Sequence, residues 1–277
     1  MNRLTRLPVL AAVLAVLTIS MSGCDKLKAR DQLNKGVASF KAGKYEEAIT
    51  HFQNASKLDP NLPTAKEYLG TALSMNVVAG LDTPENKKTA NEAINIFQEV
   101  LTQHPDDVNS MKGIASLYFN IQELDKAKEW QKKVLAVDPK DPEAAYTVGV
   151  IDWTEAHKNL LKLLSNNDDG VGNVKALTKA ACPEIQAENG QLVEEGLKYL
   201  DTAIQNRPSY DEAMAYMNLT YRRKADVDCG NEPARKEDVA KAMEWSQKAM
   251  GTRKDNEAKK EKATGGGIQM DSSGQMK

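Results

Sequence analysis

Three cysteines and three histidines have the most chemistry available to them in this 277-residue chain. Neither Cys182 nor Cys229 lies in a CxxC or CxxCH motif, and no histidine has a second ligand at zinc-site spacing. The sequence contains no GxSxG, HExxH, P-loop or GxGxxG motif. Its acidic pairs, such as 46–47 and 194–195, have the spacing of solvated helix faces. We therefore predict a protein that is not an enzyme and that binds no metal or cofactor.

The first cysteine, Cys24, follows a segment with the features of an export signal. Arg3 and Arg6 form a basic start. The apolar run 7–19 is shorter than the roughly 20 residues that span a bilayer. The sequence therefore predicts a signal peptide over residues 1–23. An ordinary cleaved signal with a coincidental cysteine, or an uncleaved anchor, is the alternative.

The run Met21-Ser22-Gly23-Cys24 resembles the lipobox of bacterial lipoproteins, in which small residues precede a cysteine that becomes acylated. This resemblance implies lipidation of Cys24 and a short anchor linker at 24–28. It also implies export to the bacterial cell envelope, where the lipid anchors the chain to the inner or outer membrane, facing the periplasm. Two or three acyl chains would hold it essentially permanently, at about 0.8 kcal/mol per buried CH₂.

The composition favours helices as the elements that position these residues. Hydrophobic residues make up 41% of the chain, aromatic residues 5% and charged residues 27%. That profile suits exposed amphipathic helices better than a β-sandwich, which is richer in β-branched and aromatic residues. The net charge of −2 lacks the basic excess of a nucleic-acid-binding protein, so no nucleic acid is expected as a partner.

A 34-residue pattern begins at residue 29 and recurs along the chain. In its first copy, positions 8, 20, 24, 27 and 32 are Gly36, Ala48, Phe52, Ala55 and Pro60. Small residues at 36 and 48 let two helices of a hairpin cross closely. Phe52 fills the space between one hairpin and the next. Pro60 cannot continue the second helix and turns the chain.

These residues resemble the tetratricopeptide repeat (TPR) family. By this resemblance, repeats occupy about 29–62, 63–107, 108–141, 142–210 and 211–256. Extra residues around 77–87 and 154–190 separate the two helices of the second and fourth repeats. The polar, Gly/Ser-rich segment 257–277 is predicted to be a disordered tail. The resemblance implies an all-α solenoid of about five helix hairpins in a right-handed superhelix, whose first helices line a concave groove.

The family register also implies which side chains face a partner in that groove. They are Lys112, Phe119, Asn120, Tyr146, Trp153, Arg222 and Arg223. Aromatic residues and arginine are the usual anchors of interfaces, and the basic residues could pair with a carboxylate. The alternative for each is that the aromatic rings pack against neighbouring helices and the basic side chains are solvated. Leu33 and Val37 stand where a chaperone-type carboxylate clamp has Lys and Asn, so that activity is not supported.

The resemblance places Cys182 and Cys229 in insertions that leave successive repeats from the same edge. Because an exported compartment permits oxidation, we predict a disulfide between them. The alternative is two unrelated thiols in loops.

Together these features predict a non-catalytic, lipid-anchored scaffold or adaptor that binds a peptide or helix of a protein partner in its groove. A role in secretion, pilus or outer-membrane assembly is the leading hypothesis. A periplasmic glycan- or peptide-binding lipoprotein is the alternative. An enzyme with its site in the 154–190 insertion is disfavoured, because that segment offers only His157 and one cysteine.

Overall fold

The computed structural model describes residues 6–166 and 181–263, with side chains for 24–165 and 181–262. These residues contain ten α-helices and no strand. The helices are α1 (Arg6–Lys41), α2 (Tyr45–Leu58), α3 (Pro63–Ser74), α4 (Pro84–Gln103), α5 (Val108–Asn120), α6 (Leu124–Val137), α7 (Pro142–Asn166), α8 (Cys182–Asn206), α9 (Asp211–Val227) and α10 (Glu232–Ala263). The predicted all-α class is confirmed.

Neighbouring helices pack as antiparallel hairpins within two compact units. Unit 1 is residues 1–130 and unit 2 is residues 131–277, so the boundary lies inside α6. In unit 1, α1 packs on α2 and α3 on α4, and in unit 2, α7 packs on α8 and α9 on α10. Within each unit the first helices of successive hairpins also contact each other, α1 with α3 and α3 with α5 in unit 1, and α7 with α9 in unit 2.

Glycines let the helices of unit 1 approach closely. A β-carbon on Gly36 would collide with the ring of Phe52. On Gly70 it would lie 2.9 Å from a ring atom of Phe97, and on Gly113 it would lie 2.7 Å away. Phe97 of α4 is therefore wedged between α3 of its own hairpin and α5 of the next. This is the role that the sequence pattern predicted for a small residue facing a large aromatic one.

Proline and aspartate mark the helix boundaries. The second helices α2, α4, α6 and α8 end at Leu58, Gln103, Val137 and Asn206, and each is followed two residues later by a proline. An aspartate then caps the next helix in two of these turns. Asp107 accepts a hydrogen bond from the N–H of Ser110 at 2.6 Å. Asp141 accepts one from the N–H of Ala144 at 2.8 Å, which satisfies a free amide of the first turn.

Residues 24–28, predicted as a short anchor linker, are helical in the structure. Helix α1 continues through these residues without a break. Asp25 and Lys28 form an ion pair at 3.3 Å, at the i, i+3 spacing that places two side chains on one helix face. Among the described residues, no helix combines the length and the apolar character needed to cross a membrane.

Two further boundaries differ from the sequence prediction. The insertion predicted at 154–190 largely lengthens existing helices, because α7 continues to Asn166 and α8 starts at Cys182. The first part of the predicted disordered tail is also helical, since α10 continues to Ala263. Its Ala, Lys and Glu residues are good helix formers, which supports an exposed helix there. Residues 167–180 and 264–277 lie outside the described residues.

Candidate functional site

Aromatic side chains meet between the first helices of unit 2. The rings of Tyr146 on α7 and Tyr216 on α9 lie edge to face, 5.7 Å apart. Trp153, two turns further along α7, lies edge to face with the same Tyr216 at 5.4 Å. Edge-to-face pairs at these distances are favourable beyond the area they bury. We call Tyr146, Trp153, His157 and Tyr216 the aromatic face.

The side chains of the aromatic face are all partly buried. Its rings pack against a neighbouring helix, as the alternative proposed, yet each keeps some exposed surface. Burial raises the pKa of Tyr146, and the nearby Tyr216 and Tyr210 raise it further. Burial likewise raises the pKa of Tyr216. These hydroxyls therefore stay neutral at physiological pH and act as hydrogen-bonding groups on an apolar surface.

Two members of the aromatic face were missed by the family register. Tyr216 was not assigned to the groove, yet it is the ring that joins Tyr146 to Trp153. His157 stacks on Trp153 with ring centroids 5.0 Å apart. It lies one turn beyond Trp153, in the part of α7 that extends past a standard repeat helix and to which the family register assigns no groove residue. The i, i+4 spacing of Trp153 and His157 was the available signal.

The two predicted arginines of α9 have different surroundings. Arg222 is exposed, and its Nε donates a hydrogen bond to Asn218 Oδ1 at 3.1 Å. Arg223 is mostly buried and pairs with Asp226 at 3.2 Å. Burial raises the pKa of Asp226, and Arg223 offsets part of that rise. Arg223 is therefore already paired with a carboxylate of its own helix, and only Arg222 presents its guanidinium to solvent.

The predicted residues of unit 1 lie on α5. Lys112, Phe119 and Asn120 are all partly buried. The main-chain oxygen of Asn120 accepts a hydrogen bond from the N–H of Gly80 at 2.8 Å. The loop between α3 and α4 is thereby tied to the end of the helix that carries these residues.

The cysteines are in two chemical states. Cys182 and Cys229 form a disulfide with Cα atoms 5.7 Å apart, as the sequence predicted. It joins the first residue of α8 to the turn between α9 and α10. Cys24 is a free, exposed cysteine. Within the described part of the chain, no group of three or more His, Cys, Asp or Glu side chains is arranged to hold a metal ion.

Comparison with known families identifies the hairpins of unit 1. A family described as "TPR repeat" matches residues 36–76, and one described as "Tetratricopeptide repeat" matches residues 87–149. These two stretches are similar to tetratricopeptide repeats. They cover α2, α3, α5 and α6 completely and all of α4 but its first three residues, and they extend to Gly149 in α7. TPR proteins bind peptides or proteins.

Curated relatives share parts of the TPR region. Hsp70-Hsp90 organizing protein 3 of Arabidopsis thaliana is 31% identical over 119 residues, which is 43% of this chain and 19% of that protein. DnaJ homolog subfamily C member 3 of Gallus gallus is 32% identical over 95 residues, which is 31% of this chain and 17% of that protein. This chain thus matches less than a fifth of the length of either relative.

Solved TPR-type structures resemble the fold over most of the chain. MamA 41-end from Desulfovibrio magneticus RS-1 superposes with a TM-score of 0.52 at 17% identity, covering 79% of this chain and 96% of that one. A second MamA crystal structure gives a TM-score of 0.54 at 14% identity, covering 86% of this chain and 95% of that one. At such identities the likeness concerns the fold.

Proposed function

We propose that this protein is a non-catalytic, lipid-anchored TPR scaffold that binds protein partners in the bacterial cell envelope. The observation that carries the partner-binding part is the aromatic face of α7 and α9. It offers partly exposed rings at 5.4 and 5.7 Å from Tyr216, on the helices that TPR proteins use to hold a peptide. Aromatic rings held in place by their neighbours lose little entropy when a partner packs on them.

Exposed Arg222 adds a positive charge to α9, the helix that carries Tyr216. Its Nη groups are not engaged by Asn218, which accepts from Nε. A segment that carries an apolar side chain and a carboxylate would match the rings and this guanidinium. The proposed partner segment is therefore a peptide or helix with mixed apolar and acidic character.

The lipid anchor is the second part of the proposal. Its support is the run Met21-Ser22-Gly23-Cys24 after a short basic and apolar segment, together with an exposed cysteine at position 24. Acylation at Cys24 would place the repeats at a membrane surface. Metabolic labelling with a radioactive or clickable fatty acid tests this. Label should enter the wild type and not Cys24→Ala, and labelling of both would contradict the assignment.

Partner binding is tested by brief crosslinking in the cells that make the protein. The full-length protein is then purified through a tag, and its companions are identified and quantified by mass spectrometry. We expect one envelope protein at near-stoichiometric amounts. We also expect Trp153→Ala and Arg222→Ala to reduce its recovery by about tenfold, as for interface anchors worth 1–2 kcal/mol each.

Trp245→Ala is the matched control. Trp245 is also a partly buried tryptophan of unit 2, but it lies on the second helix α10, with Lys248 Nζ 4.3 Å from its ring. Its loss should leave partner recovery unchanged. Equal losses from Trp153→Ala and Trp245→Ala would indicate general destabilisation and contradict the aromatic face as the site. A preparation without any partner, in cells where a control complex is captured, would contradict the scaffold function.

A further inference from the structure

The loop between α3 and α4 exposes apolar side chains at one edge of unit 1. Met75, Val78 and Leu81 are 47%, 56% and 44% exposed. All three fall within residues 75–83, which we call the edge loop. Large apolar side chains are usually exposed singly, so three within one short loop distinguish this surface from the rest of the unit.

Internal hydrogen bonds hold the edge loop in one conformation. Asn86, which is 6% exposed, accepts a hydrogen bond from the N–H of Val78 at 2.8 Å. Its Nδ2 donates to the carbonyl oxygens of Val78 at 2.9 Å and of Leu81 at 2.8 Å. The N–H of Gly80, a residue at φ 76°, bonds to the carbonyl oxygen of Asn120. One buried amide therefore fixes the backbone of Val78 and Leu81 while their side chains remain in solvent.

The edge loop is continuous with the predicted groove residues of unit 1. Gly80 is bonded to Asn120, and Asn120 follows Phe119 at the end of α5. Asn76 Nδ2 donates to Glu46 Oε1 at 3.0 Å, which ties the start of the loop to the start of α2. The edge loop thus joins three successive hairpins at the edge where their first helices end.

The charged side chains around the edge loop balance in sign, since Glu85 and Lys88, both exposed at the start of α4, carry opposite charges. Asp82 pairs with Lys87 at 2.6 Å, and Glu123 pairs with Lys126 at 3.4 Å. An anionic lipid surface binds proteins through an excess of basic residues. The balanced charges around the edge loop do not provide that excess. The distance from the proposed lipid anchor also argues against a membrane as the occupant. The edge lies beyond the last turn of α1, roughly 25 Å of helix away from Cys24. An uncharged, apolar segment of a protein is therefore the complementary occupant.

We propose that the edge loop is a second contact surface, on which an uncharged apolar segment of the groove-bound partner packs against Val78 and Leu81. This rests on the proposed partner-binding function and adds a contact outside the groove. A surface that is already ordered loses little conformational entropy on binding, so two exposed apolar side chains can act as anchors there. A partner that crosses the end of α5 at Phe119 reaches the loop directly, because Gly80 is bonded to Asn120.

Site-specific photocrosslinking of the full-length protein in its own cells tests this inference. A benzophenone amino acid is placed at Val78, at Phe119 in the groove, or at Thr102, which is exposed on α4. We expect the same protein to be captured from positions 78 and 119 and not from 102. Leu81→Ser should lower the capture from position 78 about tenfold, as for removal of a buried leucine contact.

Two double variants measure how much the edge loop contributes to partner recovery without the benzophenone probe. Val78→Ser/Leu81→Ser should lower partner recovery by about tenfold or more. Val239→Ser/Met243→Ser changes two other exposed apolar residues, which lie on α10 at 37% and 53% exposure, and should leave recovery unchanged. Circular dichroism of both variants should match the wild type, because all four side chains lie at the surface.

The outcomes separate this inference from the proposed function. Capture from position 119 but not from 78, or equal recovery with both double variants, overturns the edge-loop contact and leaves the groove intact. Capture from 78 of a lipid or of a second copy of this chain also overturns it. Capture from neither position, while the tagged wild type still recovers its partner, also overturns the edge-loop contact. A tagged wild type that recovers no partner overturns the proposed function itself.

Discussion

A β-carbon on Gly149 would lie 2.5 Å from Cγ of Leu200, so α7 and α8 cross with no room for a side chain at this point. Leu200 is fully buried and belongs to the core of unit 2 together with Ala145 and Ala203. Gly196 faces the same crossing, and a β-carbon there would be 3.2 Å from Cβ of Asp152. Two glycines on facing helices thus set the distance between α7 and α8.

Gly149→Ala should therefore destabilise unit 2 although alanine is the better helix former. The intrinsic gain is about 1 kcal/mol, and overpacking against Leu200 is expected to cost about 3 kcal/mol, the upper end of the usual range, because the clash involves Cγ of a fully buried side chain. Urea unfolding followed by circular dichroism measures the change. Gly190→Ala is the control, because Gly190 lies in α8 with no atom within 4 Å of a β-carbon. Gly190→Ala should raise the free energy of unfolding slightly. The same response from both variants would contradict the close approach of α7 and α8 at Gly149.

Asn86→Asp should loosen the edge loop. The aspartate cannot donate to the carbonyl oxygens of Val78 and Leu81, and each unsatisfied buried group is expected to cost about 1–3 kcal/mol. Hydrogen exchange at the amides of Val78 and Gly80 should accelerate by at least about tenfold. Asn91→Asp makes the same change at an exposed position of α4 and should leave both amides protected. Unchanged protection in Asn86→Asp would show that the loop is held by other contacts.

The start of α9 is tied to α10 by a carboxylate whose charge matters. Arg253 Nε donates to Asp211 Oδ2 at 2.8 Å, and Asn256 Nδ2 donates to Asp211 Oδ1 at 2.9 Å. Burial acts to raise the pKa of Asp211, but these hydrogen bonds together outweigh it and hold the pKa below its usual range. The ionised form is therefore favoured in the folded protein.

The stability that Asp211 contributes should consequently depend on pH. A lowered folded-state pKa means that the contribution is complete above the unfolded-state value, about 3.9, and is lost as the pH falls through the lower folded-state value. Asp211→Asn should reduce the urea midpoint at pH 7, and its difference from the wild type should shrink toward zero near pH 2–3. A difference that stays constant over this range would contradict the role of the charge.

Reduction of the disulfide should weaken unit 2. Cys182 and Cys229 are separated by 47 residues, and closing a loop of that length stabilises the folded state by about 3–4 kcal/mol in the chain-entropy description. Dithiothreitol should lower the urea midpoint of the wild type and expose sites near both cysteines to protease. Cys182→Ser/Cys229→Ser should start from that lower midpoint and show no response to the reductant. A reductant effect in the double variant would assign the loss to another cause.

Spacing along the chain was sufficient to determine the class of fold and the ends of the second helices α2, α4, α6 and α8. A proline two residues after each of α2, α4, α6 and α8 cannot continue a helix whatever surrounds it, and Gly36 facing Phe52 is a local rule of one hairpin. These are properties of the backbone and of neighbouring residues, so they can be predicted without the rest of the protein. The pairing of Cys182 with Cys229 was also within reach, because the repeat pattern orders the insertions along one edge.

Only the tertiary structure decided how the site is built, because its contacts join residues far apart in the chain. The register placed Tyr146 and Trp153 toward a groove, but the ring that joins them is Tyr216, on a helix one hairpin later. The sequence predicted that Arg223 could pair with a carboxylate of a partner. In the structure it pairs with Asp226 of its own helix. The edge loop was visible in the sequence only as extra residues, since its order depends on the burial of a single amide, Asn86, among carbonyl groups that the fold brings to it.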